Sequence, residues 1–441
     1  MTPNVDRRLF LRATASAFAA LAASGCMRSP LSGASASAPP AGIGYGPLRP
    51  DPAGLMDLPE GFSYRVISQL GDTMSDGFTV PDRADGMGCF DLGNGRIALV
   101  RNHELQPQHE GGGVAGPAYD TVARSLIPLP GGTTTLVVDA ATLEVERQYR
   151  SLAGTIRNCA GGITPWGSWL TCEESVQRAN GRVNKDHGWV FEVPANAEGL
   201  VDPVPLKAMG RFNHEAAAVD PATGIVYLTE DRNDSLLCRF VPNAPGRLAE
   251  GGKLQALALE NIPDTRNWEG VTVQPQSSHA VRWIDLDEME APQDDLRQRG
   301  AAAGAAIFAR GEGIHMGEGE LYFCCTSGGA AKLGQIFRLR PGSGGDQLQL
   351  FFESTSEDQF NYGDNLTVAP NGHLVVCEDQ YTPVSANHLR GITPDGVAYP
   401  IAFTQQQTEW AGACFSPDGR TLFVNLYSPA RTFAITGPWI A

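Results

Sequence analysis

The stretch NHEAAAVDPATGIVYLTED, from Asn213 to Asp231, has the pattern of a β-hairpin with charged ends. Two short runs of small and apolar residues flank a turn sequence, DPATG, and this arrangement is typical of two paired strands. A hairpin brings its two ends together. The histidine and one carboxylate at its start therefore lie beside the two carboxylates at its end, which predicts a cluster of charge at one rim.

Five further stretches repeat this pattern of strand, turn and strand. They span residues 85–104, 159–174, 312–327, 364–379 and 409–424, and a Gly occurs in every turn. Other strand-like segments fill the gaps between them, only residues 292–304 have the composition of a short surface helix, and the segment 268–309 interrupts the even repeat. Because repeated strand units of this kind close around an axis, we predict an all-β fold, a six-bladed β-propeller.

The repeats carry acids at matched positions, which predicts a metal site. If the first strand of each hairpin is innermost, its first residue lies at one rim of the central channel. These residues are Asp85, Cys159, Glu215, Glu312, Asp364 and Glu409. The return strands add Glu104, Glu173 and Glu230. So many carboxylates repel one another, and bound multivalent cations remove that repulsion.

The donor types at this rim indicate two kinds of metal. Carboxylates and amide oxygens suit Ca2+, and Asn102 and Glu104 are candidate metal ligands, with a simple strand end as the alternative. A thiolate does not suit Ca2+, and Cys159 therefore indicates iron or zinc beside the calcium. A cationic centre on an acidic protein favours phosphate esters as substrates.

An arginine near this rim is the candidate for binding such a substrate. Arg310 precedes Glu312 by two residues, and its guanidinium would donate two hydrogen bonds to phosphoryl oxygens. Arg157 and Arg211 precede other rim positions and are weaker candidates of the same kind.

The N-terminal residues have the features of an export signal. Arg7-Arg8 precedes an Ala-rich apolar run, as in twin-arginine signals, and the sequence ASGC ending at Cys26 resembles a lipobox. We assign residues 1–30 to the signal, 31–50 to a flexible linker and 51–441 to the propeller domain. This predicts transport by the twin-arginine export machinery to the periplasm, cell envelope or medium. A lipid on Cys26 would be the one contact with a membrane, and cleavage between residues 34 and 38 is the alternative.

The charge of the chain argues against one class of partner. Its formal net charge of −16 would repel a nucleic-acid backbone, so we expect no nucleic-acid partner.

The cysteines do not indicate a disulfide scaffold. Nine is an odd count without the spacing of such a scaffold, and most of the cysteines lie in apolar runs typical of core strands.

Several motifs together resemble the PhoX-type alkaline phosphatase family. They are RNHE (101–104), RNCAGG (157–162), TPWG (164–167), TCEE (171–174), GRFNHE (210–215), RGEG (310–313) and DNL (364–366). They extend over nearly all of the chain after about residue 50, and the chain is shorter than the large phosphatases of that family. The resemblance implies hydrolysis of small phosphate monoesters at a six-bladed propeller.

The resemblance also implies cofactors and residue roles. It implies two ferric ions (Fe3+) and three calcium ions (Ca2+) around a bridging oxo group. By motif, Asn102 would be a calcium ligand and Arg310 a contact to the substrate phosphate. The ligands of the iron–calcium cluster would be Cys159, Glu215, Glu312 and Asp364.

Two other functions stay open at this point. A propeller lactonase with a single Ca2+ would also use Glu and Asn at the channel mouth, but it has no use for a thiolate. A calcium-bound propeller without activity could serve as an interaction module of the cell envelope.

Overall fold

The computed structural model describes residues 42–379 and 387–439, in which the regular secondary structure is almost entirely β-strand. The predicted signal and lipobox lie outside the described residues, as does most of the linker. In the described residues no helix is long and apolar enough to cross a membrane.

The chain begins with three strands that do not start a blade. They are β1 (Leu48–Arg49), β2 (Leu58–Pro59) and β3 (Ser63–Gln69). β1 pairs with β2 in a small antiparallel sheet. The residues before β1 also pack on the folded unit, because the ring of Tyr45 lies 5.6 Å from that of Trp439. The end of the predicted linker is therefore part of the propeller domain.

The first two blades follow. The first contains β4 (Ala84–Gly93), β5 (Arg96–His103), β6 (Gly131–Asp139) and β7 (Val145–Thr155). The second contains β8 (Asn158–Ile163), β9 (Ser168–Glu173) and β10 (Val190–Pro194).

The third and fourth blades share one sheet. The third contains β11 (His214–Val219), β12 (Val226–Glu230), β13 (Cys238–Pro242), β14 (Gly252–Leu259) and β15 (Ser278–Asp285). The fourth contains β16 (Gly311–Met316), β17 (Leu321–Cys325), β18 (Gln335–Arg340) and β19 (Gln347–Glu353). β15 pairs with both β14 and β19 and so joins the two blades. It belongs to the segment that interrupts the repeat, which also holds the predicted short helix, α1 (Leu296–Ala302).

The fifth and sixth blades complete the ring. The fifth contains β20 (Gly363–Val368), β21 (Leu374–Glu378), β22 (Asn387–Ile392) and β23 (Ala398–Thr404). The sixth contains β24 (Trp410–Phe415), β25 (Thr421–Leu426) and β26 (Arg431–Thr436), with β3 from the start of the chain as its outer strand. A blade built from both ends of the chain holds the ring closed.

Contacts between the innermost strands confirm the all-β propeller prediction. Each of β4, β8, β11, β16 and β20 contacts the innermost strand of the next blade, and β24 contacts β4 again. Six apolar clusters fill the six spaces between neighbouring blades. Both faces of each blade are therefore buried, which explains why the hairpin strands consist mostly of small and apolar residues.

Every innermost strand has a β-bulge near its first residues. The antiparallel register shifts between Ala84 and Met87 in β4, and a shift occurs close to the start of the other five strands. A bulge bends the strand and changes the direction of a side chain. The bulges place the residues of interest at one end of the channel.

Glycines beside the bulges let neighbouring blades approach closely. A Cβ on Gly86 would lie 2.5 Å from the Cα of Ala160, and one on Gly313 would lie 2.7 Å from the Cα of Asn365. At the closure of the ring, Gly412 has φ +62° and a Cβ there would lie 2.3 Å from the carbonyl oxygen of Asp85. Only Gly fits these positions without displacing backbone.

Candidate metal centre

Each blade brings three matched residues to the same end of the channel. We call them the rim, inner and return positions. The inner position lies two residues after the rim position, and the return position directly follows the second strand. The rim residues are Arg83, Arg157, Asn213, Arg310, Tyr362 and Glu409. The inner residues are Asp85, Cys159, Glu215, Glu312, Asp364 and Ala411. The return residues are Glu104, Glu174, Asp231, Thr326, Asp379 and Tyr427.

Backbone hydrogen bonds establish the match. In every blade the N–H of the return residue donates to the carbonyl oxygen of the rim residue, over 2.8–3.3 Å. Four rim residues have left-handed backbones: Arg83 (φ 55°), Arg157 (φ 47°), Arg310 (φ 52°) and Tyr362 (φ 51°). This conformation is unfavourable for residues with a Cβ, and strain of this kind clusters at functional sites.

The first group of donor atoms belongs to Glu104, Cys159 and Glu174. One donor atom from each lies within 4.8 Å of the others, and all three residues are buried. The thiol of Cys159 lies 3.5 Å from Oδ2 of Asp85. Arg157 bridges the two glutamates, because its Nε donates to Glu104 over 2.5 Å and its Nη2 donates to Glu174.

The second group of donor atoms belongs to Glu215, Glu312 and Asp364, again within 4.8 Å of one another. Arg310 lies at its edge. The Nε and Nη2 of Arg310 donate to the two carboxylate oxygens of Asp231 over 2.7 and 2.9 Å, and Nη2 also donates to Glu312 over 2.9 Å.

Electrostatic coupling joins the two groups into one centre. Burial raises the pKa of Glu215 well above its usual range, and the carboxylates of Asp364, Glu174 and Asp85 raise it further. The pKa values of Asp85, Glu174 and Glu312 are raised in the same way, mainly by burial. Without a counter-charge, this centre would have to hold protons.

The chemistry of the donors fits bound metal ions. Burial also raises the pKa of the Cys159 thiol, and neighbouring carboxylates add to that effect. Oδ1 of Asp85 is buried and has no hydrogen-bond partner among the described residues, as expected of an atom that needs a cation. The oxygen donors suit calcium, and the thiolate suits a transition metal.

The structure brings together five of the six residues predicted to bind metal: Glu104, Cys159, Glu215, Glu312 and Asp364. Asn102 belongs to neither group. Its Nδ2 donates to the carbonyl oxygens of Cys159 and Ala160, and its Oδ1 accepts bonds from Trp169 and Thr171. Both ends of the amide are thus used inside the protein, so Asn102 positions the strand that carries Cys159.

Three positions differ from the sequence expectation. Glu409 is a rim residue, and the inner position of its blade holds Ala411. Glu173 faces away from the centre and accepts backbone N–H bonds from Ile156 and Gly188. Glu230 faces Arg297 at 3.8 Å. Because side chains alternate along a strand, the residue after Glu173 and the residue after Glu230, not the glutamates themselves, reach the centre.

Two other candidates lie away from the site. Arg211 is buried and donates to the carbonyl oxygens of Ala291 and Val176, so it is a structural arginine. Glu269 is followed by Gly, as Glu312 is, and so resembles that position in the sequence, but it is exposed on the surface.

The predicted ligands omit three acids at return positions, Glu174, Asp231 and Asp379, although Asp231 is one of the carboxylates that the sequence places at the rim of the first hairpin. Each is the second member of an acidic pair at the end of a strand, EE at 173–174 and ED at 230–231 and 378–379. The recurrence of the pair was the available signal, because a strand end with two consecutive acids presents one of them to each side.

Among the described residues, the charged groups lie at one end of the channel. Towards the other end, the same six strands line a cavity of about 440 Å³ with residues such as Met87, Ile163, Met316 and Phe415. None of the described residues that line this cavity is an Asp, Glu, Lys or Arg. The two ends of the channel therefore differ in charge.

The chain was compared with protein families and known proteins. The family model described as alkaline phosphatase PhoX matches residues 43–144 and 130–430. Among solved structures, Pseudomonas fluorescens PhoX in complex with vanadate, a transition state analogue, has a similar fold. It is 19% identical with a TM-score of 0.66, over 87% of this chain and 96% of that chain.

A second structural match is weaker. The gluconolactonase XC5397 from Xanthomonas campestris is 12% identical with a TM-score of 0.38, over 90% of this chain and 99% of that chain. The search of curated proteins found no significant match.

Proposed function

Because the chain belongs to the PhoX family of alkaline phosphatases, we propose that it hydrolyses phosphate monoesters at a mixed iron–calcium centre. The observation that supports this most is the pair of adjacent donor groups at one end of the channel. One contains a thiol and the other contains only carboxylates. A single-calcium lactonase needs neither the thiol nor so many buried acids.

The two groups suggest how the metals are shared. Glu104, Cys159 and Glu174, with Asp85 beside them, would hold iron, because a thiolate prefers a transition metal. Glu215, Glu312 and Asp364 offer only oxygen and would hold calcium. When bound, such a centre supplies positive charge that polarises a phosphoryl oxygen.

Arg310 is proposed to bind the phosphoryl group. Asp231 holds its guanidinium at the rim, beside Glu312. Once a cation engages Glu312, the Nη2 that donates to this carboxylate can donate to a phosphoryl oxygen instead. A guanidinium in this place stabilises the charge that develops on phosphorus oxygens in the transition state.

Alkaline pH should favour metal binding at this centre. Its carboxylates and its thiol must lose their protons before they bind metal, and burial raises their pKa values. Metal binding therefore strengthens as the pH rises.

Export by the twin-arginine pathway is part of the proposal. It rests on Arg7-Arg8 and the apolar run that follows. This pathway carries folded proteins, so the metals could be bound before transport.

Metal analysis followed by an activity assay tests the function. The protein is produced in a bacterial host with its own leader, purified without chelators, and analysed for iron and calcium. We expect both metals, together with hydrolysis of p-nitrophenyl phosphate that a calcium chelator abolishes and added calcium restores. Protein that contains neither metal contradicts the proposal.

Two further assays address the alternatives. Hydrolysis of a lactone but not of the phosphate ester would favour the lactonase. Bound calcium with no hydrolysis of a lactone, p-nitrophenyl phosphate or bis-p-nitrophenyl phosphate would favour the interaction module.

A further inference from the structure

Three rim positions carry arginine, and the three differ in how their charge is neutralised. Arg157 and Arg310 each form ion pairs with two carboxylates. Arg83 forms none with the described residues. Its Nη1 donates to the hydroxyl of Tyr427 over 2.8 Å, and its guanidinium lies 5.3 Å from the centre of the same ring.

Arg83 lies close to the first group of donor atoms. The hydroxyl of Tyr427 that accepts from Arg83 donates in turn to Oε2 of Glu104. One hydroxyl therefore separates the guanidinium from a proposed metal ligand. The side chain of Arg83 is only half-buried, so it faces solvent at the mouth of the centre.

A second donor stands near Arg83 on the loop that follows β5. Nδ1 of His109 accepts the backbone N–H of Gln106 over 3.1 Å, so its Nε2 carries the proton. Burial lowers the pKa of His109 and Arg83 lowers it further, and these two effects outweigh Glu104 and Asp82, which raise it. His109 is thus a neutral hydrogen-bond donor within electrostatic reach of Arg83.

We propose that Arg83 and His109, with Arg83 positioned by Tyr427, form a subsite for a second anionic group of the substrate, a carboxylate or phosphate on the leaving group. The subsite rests on the proposed phosphatase function. The phosphoryl group that is transferred would lie at the metals and Arg310, and the second anion would lie at Arg83.

The rim arginines then have separate tasks. Arg157 is held by two carboxylates of the first group and stabilises that group. Arg83 is held by a neutral phenol and forms no ion pair with the described residues, so its guanidinium donors remain available for a ligand. Burial lowers the pKa of Arg83, but the bond to Tyr427 and the nearby carboxylates of Glu104 and Asp82 outweigh burial and raise it. Because a charged hydrogen bond contributes more than a neutral one, an ester with a second anion should be preferred about tenfold over its neutral analogue.

A pair of matched substrates tests the subsite. Phenyl phosphate and 4-carboxyphenyl phosphate undergo the same reaction and differ by one carboxylate. For the metal-loaded wild-type protein we expect kcat/KM to be about tenfold higher for the carboxylated ester. In Arg83→Gln the ratio of the two values should fall to near one, and Arg83→Lys should retain part of the preference.

Controls separate this effect from general damage. Arg96→Gln removes an exposed arginine that pairs with Glu146 at the other end of β5, and it should leave the ratio unchanged. His109→Ala should lower the ratio about threefold and serves as the second variant if Arg83→Gln does not fold.

Three outcomes would overturn the subsite. The first is equal kcat/KM for both esters in the wild-type protein. The second is an equal fall in kcat/KM for both esters in Arg83→Gln, which would leave the ratio unchanged and place Arg83 on the transferred phosphoryl group. The third is no hydrolysis of either ester by metal-loaded wild type, which removes the phosphatase function as well.

Discussion

The two donor groups lie at the same end of the channel but differ in position and in chemistry. The first combines the thiol of Cys159, an inner residue, with the carboxylates of Glu104 and Glu174, which are return residues. The second has only the carboxylates of three inner residues, Glu215, Glu312 and Asp364. Cys159 and the second group share the same backbone, a bulge at the start of an innermost strand, so the thiol is what distinguishes this inner position. Under the proposed function, the thiolate is also what favours a transition metal in the first group.

Their arginines differ in the same manner. Arg157 pairs with two members of the first group and so neutralises it from within. Arg310 pairs with Asp231, which lies outside the second group, as well as with Glu312. We infer that the first arginine supports metal binding, whereas the second is placed to contact substrate.

Replacing Cys159 with Ser removes the thiol that distinguishes the first group from the second. This substitution should have the largest effect on metal content and activity. We expect loss of iron, retention of calcium and a fall in kcat/KM of at least about 100-fold, since even residues that only support metal ligands cost about 10–100-fold. Elemental analysis and p-nitrophenyl phosphate hydrolysis measure both quantities.

A second thiol provides the control for that experiment. Cys89 lines the apolar part of the channel, and Cys89→Ser should retain iron and activity. If Cys159→Ser keeps its iron and stays within twofold of wild type, the thiolate is not a ligand.

Replacing Glu312 with Gln affects the group of oxygen donors and should cost about 10–100-fold in kcat/KM. Calcium affinity should fall while the iron content stays constant, because the first group is intact. Titration of the chelated protein with calcium, followed by activity, measures the affinity. Glu318 is exposed in the turn after the same strand, and Glu318→Gln is the matched control. Loss of iron rather than calcium in Glu312→Gln would reverse the assignment of the two groups.

Replacing each arginine with Lys tests whether the two have different tasks. Lys keeps the charge but loses the planar pair of donors. We expect Arg310→Lys to lower kcat/KM about tenfold with unchanged metal content, and Arg157→Lys to lower the metal content. Similar metal contents and similar rates in the two variants would show that the arginines are equivalent.

The fold and much of the site could be predicted from the sequence because the blades repeat. Turns with Gly, short apolar strands and acids at matched intervals predict six units with a charged rim. The two groups include five of the predicted ligands, such as Cys159 and Glu215. Repetition compensates for the weakness of each separate signal.

The rest of the site depends on geometry that sequence spacing does not contain. Two consecutive acids at a strand end give no indication of which one faces the channel, so the sequence does not separate Glu174 from Glu173. A hydrogen-bonded amide also looks the same in a sequence as a ligand, and only the structure shows the bonds that Asn102 forms within the protein. The Ala411 position shows that one blade departs from the repeat, and only pairing of the strands reveals this.

A buried glutamate precedes the return acid in the second and fifth blades, and the two glutamates have different partners. Glu173 accepts a bond from His187 Nδ1 over 2.6 Å, and Nε2 of His187 lies 3.3 Å from Asp120. Glu378, next to Asp379, accepts a bond from Arg390 Nε over 2.7 Å and also lies 3.2 Å from Nδ1 of His388. The guanidinium keeps its charge at every pH of interest, whereas the imidazolium does not.

Stability between pH 6.5 and pH 9 should therefore depend on His187. Burial lowers the pKa of His187, but Glu173 and Asp120 outweigh burial and raise it from 6.5 to about 9. Because the pKa is higher in the folded state, the stabilisation is complete below pH 6.5 and is lost as the pH rises through about 9. Such a shift corresponds to about 3 kcal/mol.

Melting temperatures at several pH values measure this loss. Relative to His187→Gln, the wild-type protein should lose a few degrees of its advantage as the pH rises from 6.5 to 9.5. Arg390→Gln should be destabilised by an amount that His187 does not influence, so the loss that depends on His187 should persist in that variant. Parallel pH profiles for wild type and His187→Gln would mean that the imidazole is neutral between its two carboxylates. The support that Glu173 gives to the second blade would then not depend on charge.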